Sequence, residues 1–475
     1  MVSLILSFVV LLVGYLVYSR FTEKIFGADD RPTPAIAHPD GVDRVPIKTW
    51  KAFLIQLLNI AGTGPIFGAL MGAMFGPVVF LWIVLGAVFA GAVHDYVSGM
   101  ISIRHNGESI AELAGIYCGK PIKWFMRLYS VPMLILLGTV FITSPAVLLA
   151  MLTPEKLNVG FWAVVIFIYY LLATLLPIDK VIGKIYPVFG VILIVMALGI
   201  FAGICFSGEY HIPEITLAGL HPDNLHIWPF MFVTVACGAI SGFHATQSPM
   251  IAKCITGEHL GRSIFYGAMI TESVIALVWA AAGVAFYGAT DALGDALVRM
   301  GQSGVVYDIS CTLLGPLGGI LAVIGVVVCP ITSGDTACRS VRLILSECTG
   351  LDQSSVKNRL IITIPVLAVC AILTQIDFNI LWRYFAWSNQ TLAMITLWVA
   401  TAYFIRKGKG KFSSLITAVP AAFMTGVCVT YILMAKEGFA LGASVSYPAG
   451  ILFASASFAF YLFKLSAVCR KKGNF

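Results

Sequence analysis

The chain has 475 residues, 59% of them hydrophobic and only 11% charged, with a mean hydropathy of +0.93. A soluble domain carries about a quarter charged residues, so soluble classes are excluded and a polytopic membrane protein fits. The formal net charge of +7 does not point to nucleic acid, because Lys and Arg fall in short loops on one side of the expected membrane.

Residues 3–19 are apolar, follow no Lys or Arg and precede no small-x-small cleavage site. With Arg20 and Lys24 directly after them, they predict an uncleaved first helix with its N-terminus outside. A polar loop follows over 20–47, punctuated by Pro32, Pro34, Pro39, Gly41 and Pro46. Apolar stretches then lie at 50–75, 78–103, 124–152, 159–177 and 185–206, and a second set at 228–254, 262–288, 316–346, 356–375 and 380–405. Two more occupy 413–435 and 444–466. At about 20 residues per span, the expectation is an all-α protein with about thirteen transmembrane helices.

The clusters Arg20/Lys24, Arg104/Lys120/Lys123, Lys180/Lys184, Lys253/Arg262, Arg339/Arg342/Lys357/Arg359, Arg406/Lys407/Lys409/Lys411 and Arg470/Lys471/Lys472 share one side, which places the C-terminus in the cytoplasm. The two sets of five then start from opposite sides, each with a broken helix first. That pattern predicts a LeuT-like five-plus-five inverted repeat. The divisions are 1–47, an extra helix and cytoplasmic loop; 48–210, the first repeat; 211–411, the second; and 412–475, two C-terminal helices.

Three apolar stretches are interrupted by polar, glycine-containing sequences: Gly62-Thr63-Gly64-Pro65, Ser241–Pro249 and Pro330–Asp335. In hydrocarbon every backbone N–H and C=O needs an internal partner, so a broken helix is tolerated only against protein or a wet cavity. In secondary transporters such breaks hold the substrate and the coupling ion.

The segments Pro32-Thr33-Pro34-Ala35, Ile60-Ala61-Gly62-Thr63-Gly64-Pro65, Gly91-Ala92-Val93-His94-Asp95, Cys237-Gly238-Ala239-Ile240-Ser241-Gly242-Phe243-His244-Ala245 and Ser388-Asn389-Gln390-Thr391 resemble the carbon starvation protein A family over about 20–400. The resemblance implies a bacterial inner-membrane transporter linked to peptide uptake on starvation, with some members importing pyruvate. Two departures lie near the breaks. Gln56, Leu57, Leu58 and Asn59 stand where long members carry a His-His pair, and Thr246-Gln247-Ser248-Pro249 replaces a Gly/Thr-rich continuation.

For substrate binding the sequence nominates Gly62, Thr63, Gly64 and Ile66 at the first break; Ser241, Gly242, Phe243, His244 and Gln247 at the second; and Asn389 with Gln390 on a later span. Free N–H groups near Ile66 and Phe67 would face a carboxylate from the positive end of the restarted helix. A GxG packing notch is the alternative. For ion coupling it nominates His94, Asp95, His244, Thr332, Ser333 and Asp335. Ionisable side chains inside spans are costly unless paired or wetted, and His and Asp can carry a proton.

Asp95 could instead serve as a packing contact to Arg104, and Asp335 could pair with Arg339 at i,i+4 spacing. The hydroxyls of Thr332-Ser333 resemble a LeuT-type sodium arrangement, so sodium is the alternative to the proton. Glu272 is a weaker candidate that could only brace packing. His211, His221 and His226, with Glu209 and Glu214, give a loose outer-loop grouping that is weak for a metal.

Eleven cysteines are scattered without a CxxC, and Cys237, Cys329, Cys370 and Cys428 read as small core residues. No P-loop, HExxH, nucleophile elbow or dinucleotide fingerprint occurs, which argues against an enzyme or an ATP-driven pump. The expected partners are a peptide or other small substrate and the lipid bilayer, with no nucleic acid, metal or cofactor. A channel would need rings of like residues, which scattered polar breaks do not supply.

Overall fold

Only helices and closed barrels satisfy every backbone group in lipid, and the described residues are helical without a strand. The computed structural model describes residues 1–40, 44–175, 178–353, 355–408 and 413–471, without the side chains of 174–185 and 469–471. Gly41, Asp43, Lys180, Lys184, Lys409, Lys411, Arg470, Lys471 and Lys472, or their side chains, therefore lie outside the described residues.

In chain order the helices used below are α1 (Val2–Phe26), α2 (Thr49–Ile60), α3 (Gly64–Ala73), α4 (Val79–Arg104), α5 (Ile110–Cys118), α6 (Lys120–Leu152), α7 (Val159–Leu175) and α8 (Ile178–Phe206). They continue with α9 (Gly242–Ala252), α10 (Arg262–Phe286), α11 (Thr290–Val323, kinked at Gly301 and Gly315), α12 (Cys329–Thr349), α13 (Val356–Leu373), α14 (Phe378–Lys407), α15 (Leu415–Met434) and α16 (Ala443–Lys471). Nine helices among the described residues are long and apolar enough to cross a membrane, or ten if the bent pair α2 and α3 is one span. The thirteen expected are not all met by that measure. The stretch before and through α9 is split into short pieces, and α7 has 17 residues.

The core is built where the interrupted helices meet the long ones. α3 packs along α10, α9 against α4, α14 and α2, and α6 along α12. α1 and α16 stay peripheral, with windows only 28% and 6% buried, as expected for helices that face lipid.

The breaks depart from expectation in two places. The first stands: α2 ends at Ile60, α3 restarts at Gly64, and the two bend by 49°. The second falls earlier than 241–249. The unwound stretch is 235–241, where Gly238 takes φ +90°, and Gly242–Ala252 is helical through Pro249. Positive φ is a glycine property, so Gly238 fixes the turn. Pro330–Asp335 is no break. It lies inside a continuous helical run, just after a π-helical turn at Ile324–Val328, and the wider turn there accommodates the missing N–H of Pro330 without unwinding the helix.

Candidate functional site

The two true breaks touch. A Cβ at Gly64 would collide with the Cys237 side chain, and one at Gly238 would sit 3.9 Å from Pro65 Cα. Around them, a Cβ on Gly62 would lie 2.7 Å from Phe141 Cζ and 3.2 Å from Ser333 Oγ, and the Phe141 and Phe243 rings are 6.4 Å apart. The first break, the second break, α6 and α12 therefore converge on one buried centre.

The restarted helices are capped from within. Ile66 and Phe67 donate their N–H groups to the Thr63 carbonyl at 3.2 and 2.8 Å. Those amides are not free, because Thr63 supplies the turn that starts α3. At the second break the Phe243 N–H donates to Asn389 Oδ1 at 2.7 Å, and Asn389 Nδ2 donates to Ser241 Oγ at 3.0 Å. A helix start leaves orphan N–H groups, and the Asn389 side chain on α14 satisfies one of them. Gln390 donates to the Phe232 carbonyl at 3.0 Å, Gln247 to Thr246 and Ser340, and each keeps its amide oxygen buried without a partner.

At Gly242 a new Cβ would strike the Asn389 carbonyl oxygen and lie 2.5 Å from Ala393 N. Both obstacles are backbone, so α9 and α14 would have to separate. Gly242→Ala is expected to cost about 1–3 kcal/mol, read as a lower midpoint of thermal unfolding in detergent.

Four titratable side chains meet beside this junction. Asp95 on α4 faces His94 Nδ1 at 2.7 Å and His244 Nδ1 at 2.8 Å, and His244 Nε2 reaches Glu272 Oε2 on α10 at 3.4 Å. All four are buried, and among the described residues their ion-pair contacts are only with one another. An ionised carboxylate only accepts, so each ring presents its Nδ1–H to Asp95. Arg104 instead serves Glu258, at 2.9 Å, so it is not the partner of Asp95. Cys237, His244 and Glu272 place a thiol, an imidazole and a carboxylate within 4.8 Å of one another.

Asp335 stands apart from this chain. It lies 3.8 Å from Arg339, and its other electrostatic neighbours are Arg342 and Tyr186. Of the adjacent hydroxyls, only Ser333 reaches α2, donating to the Leu58 carbonyl at 3.0 Å, while Thr332 bonds back to Cys329 of its own helix. The outer-loop histidines do not converge: His221 stacks on Phe75, His226 lies against Tyr447, and Glu214 holds the first turn of α1.

The sequence ranked Glu272 as a weaker candidate and read Cys237 as a small core residue, yet both join His244, and Gln56 and Asn59 are buried polar residues on the helix that leads into the first break. Both Gln56 amide atoms, Asn59 Oδ1 and Thr63 Oγ1 lack hydrogen-bond partners. The available signal was an acid, or two amides at i,i+3 spacing, inside apolar helices. Below the junction a cavity of about 400 Å³ opens at the end that carries Arg44, Lys253, Glu108 and Glu347, and runs up to Ser130, Thr246 and Ser340. Burial raises the Glu108 carboxyl above its ordinary range.

Touching broken helices and a buried chain of ionisable groups at their junction are the marks of a secondary active transporter. The family model for carbon starvation protein CstA matches residues 1–155, 146–290 and 301–431, and the chain belongs to that family. An uncharacterized membrane protein of Haemophilus influenzae is 44% identical over 340 residues, 61% of this chain and 92% of that one. The peptide transporter CstA of Helicobacter pylori is 28% identical over 61% of this chain and 52% of its own. The pyruvate/proton symporter BtsT of Escherichia coli is 29% identical over 57% of this chain and 47% of its own. The match thus spans about half the length of these two transporters. Among solved structures, MhsT in complex with L-phenylalanine superposes with a TM-score of 0.53 at 16% identity, covering 87% of this chain and 98% of that one. That likeness establishes the LeuT-like fold.

Proposed function

We propose that this protein is a proton-coupled secondary importer of short peptides in the bacterial inner membrane. The observation that carries the reading is the hydrogen-bonded His94–Asp95–His244 triad lying against the meeting point of the two broken helices. Substrate would bind where Gly62, Thr63, Gly64 and Ile66 face Ser241, Gly242, Phe243, His244 and Gln247. Asn389 and Gln390 would shape the second break. Asp95 and His244 would exchange the coupling proton, with Asp335 as a separate acid on α12.

The segments 48–210 and 211–411 would be the two inverted repeats, flanked by 1–47 and 412–475. The N-terminus would lie outside and the C-terminus in the cytoplasm, because Arg44, Lys253 and Arg406 crowd one end. Catalysis, a metal and a cofactor have no part in this reading.

A second reading, a pyruvate, other small-carboxylate or amino acid symporter, draws on the similarity to BtsT for its substrate. The bond from Ser333 to the Leu58 carbonyl favours sodium as its ion, since a hydroxyl and a helix carbonyl are hard oxygen ligands.

Uptake of labelled alanyl dipeptide and of pyruvate into proteoliposomes, with the pH and sodium gradients imposed separately, tests both readings. The expected result is saturable dipeptide accumulation that follows the pH gradient and ignores sodium. Accumulation driven by sodium alone would overturn the proton reading.

A further inference from the structure

Glu272 sits midway along α10, fully buried in the bilayer-spanning part of the protein. Neither of its oxygens has a hydrogen-bond partner at full geometry. Its neighbours are His244 Nε2 at 3.4 Å and the amide of Gly238, the residue that turns the unwound second break. The far nitrogen of the same ring is already bonded to Asp95. A single imidazole therefore stands between two buried carboxyls, one held by two donors and one held by none.

Charge accounting decides what such a cluster can do. With both imidazoles neutral and both carboxyls ionised it would carry two negative charges away from water, with no Lys or Arg in ion-pair contact among the described residues. Uncompensated charge at that depth is expensive, so one bound proton halves it and the remaining charge falls on the carboxylate that has hydrogen-bond donors. Asp95 accepts two hydrogen bonds and is suited to remain a carboxylate. Glu272 lacks such support and is suited to hold the proton. The titratable groups facing it are His94 and Asp95 from α4, Cys237 from the unwound stretch and His244 from α9. The other helices packed along α10, among them α2, α3, α8 and α11, set no charged group in ion-pair contact with Glu272 among the described residues.

Resting on the proton-coupled reading above, we propose that Glu272 is the group that loads and releases the transported proton, exchanging it with Asp95 through the His244 ring. In the transfer the Glu272 O–H bond breaks as a bond to His244 Nε2 forms. The His244 Nδ1–H bond breaks as a bond to Asp95 forms. One proton has moved, and the ring is left neutral as its other tautomer. Ionised Glu272 would then draw on the Gly238 N–H, and protonated Glu272 would release it. Proton occupancy is thereby tied to the shape of the second break, the element that would have to change between inward- and outward-facing states.

The test uses full-length protein in proteoliposomes, with labelled alanyl dipeptide and pyruvate as probes and an enclosed pH dye to follow protons. For one coupled proton, wild type should accumulate substrate about tenfold per unit of pH gradient. Glu272→Gln, which keeps the side chain's size, should lose this accumulation and the substrate-driven proton signal while still exchanging labelled for unlabelled substrate. Glu272→Asp should restore part of both. Gradient-driven accumulation intact in Glu272→Gln would overturn the proposal. So would loss of exchange together with accumulation in a variant that elutes as a folded, monodisperse protein, since a structural role would then suffice. A wild type whose uptake ignores the pH gradient would instead defeat the proton-coupled reading itself.

Discussion

Asp95→Asn should reduce gradient-driven uptake to background and also lower the protein's stability. The carboxylate accepts from two rings, His94 at 2.7 Å and His244 at 2.8 Å, and none of the three side chains reaches solvent. Asparagine offers one acceptor oxygen and an amide that donates, so one ring nitrogen would face N–H against N–H. A buried donor deprived of a charged acceptor costs roughly 3 kcal/mol. Since membrane proteins are commonly held together by many such contacts, the variant should still fold but melt earlier. His244→Gln is the informative companion. It preserves a donor toward Asp95 and severs the link to Glu272, so stability should change less than in Asp95→Asn while proton-driven accumulation is still lost. Both readouts come from the same purified samples: thermal unfolding in detergent, and uptake under an imposed pH gradient. Retention of full, pH-driven uptake by Asp95→Asn would remove Asp95 from coupling.

The parts of this architecture legible in the sequence are those written in local chemistry. Apolar stretches marked the helices. Gly62, Gly64 and Pro65 marked the first break, because a flexible residue, a close approach and a missing N–H each act on their own neighbours. The same rules misplaced the other two. Pro330 sits in mid-helix without interrupting it, because the π-helical turn just before it absorbs the missing N–H. At the second break the polar run from Ser241 drew attention, yet the chain unwinds just before it, through the apolar 235–240 stretch, on the positive φ of Gly238.

Partnerships across the bundle were less legible still. His244, Asp95 and Glu272 lie on three different helices, and no spacing rule connects residues 149 positions apart. Each could be nominated as an ionisable group in a span, but only packing decides that the three meet. It also decides that Asp335 stays with Arg339 and that Asn389 caps a neighbouring helix. The buried amides of Gln56 and Asn59 belong to this class: visible as polar residues in an apolar helix, but without an assigned direction until α2 is placed against α9 and α12.

The largest loss of stability without a direct effect on the coupling groups is expected at Glu258. Its carboxylate is fully buried at the end of the protein that gathers basic residues, and it receives Arg104 Nε and Nη2, each at 2.9 Å, and the Asp29 N–H at 3.0 Å. Arg104 also donates to Tyr403 Oη at 2.8 Å and to the Gly27 carbonyl at 2.6 Å, and its guanidinium lies 4.2 Å over the Phe26 ring. One ion pair thus ties together the end of α1, the end of α4, the loop after α9 and the end of α14. Glu258→Ala would leave a guanidinium that is only 6% exposed with Asp29 Oδ2, 3.9 Å away, as its remaining carboxylate, so the loss should fall toward the lower end of the roughly 3–5 kcal/mol that removing one partner of a buried pair costs. The double variant Glu258→Ala/Arg104→Leu should recover part of that loss, because the stranded charge goes with its partner. Thermal unfolding of the single and double variants measures the difference. Equal melting of Glu258→Ala and wild type would mean that the three helix ends and the loop are held by their apolar packing alone.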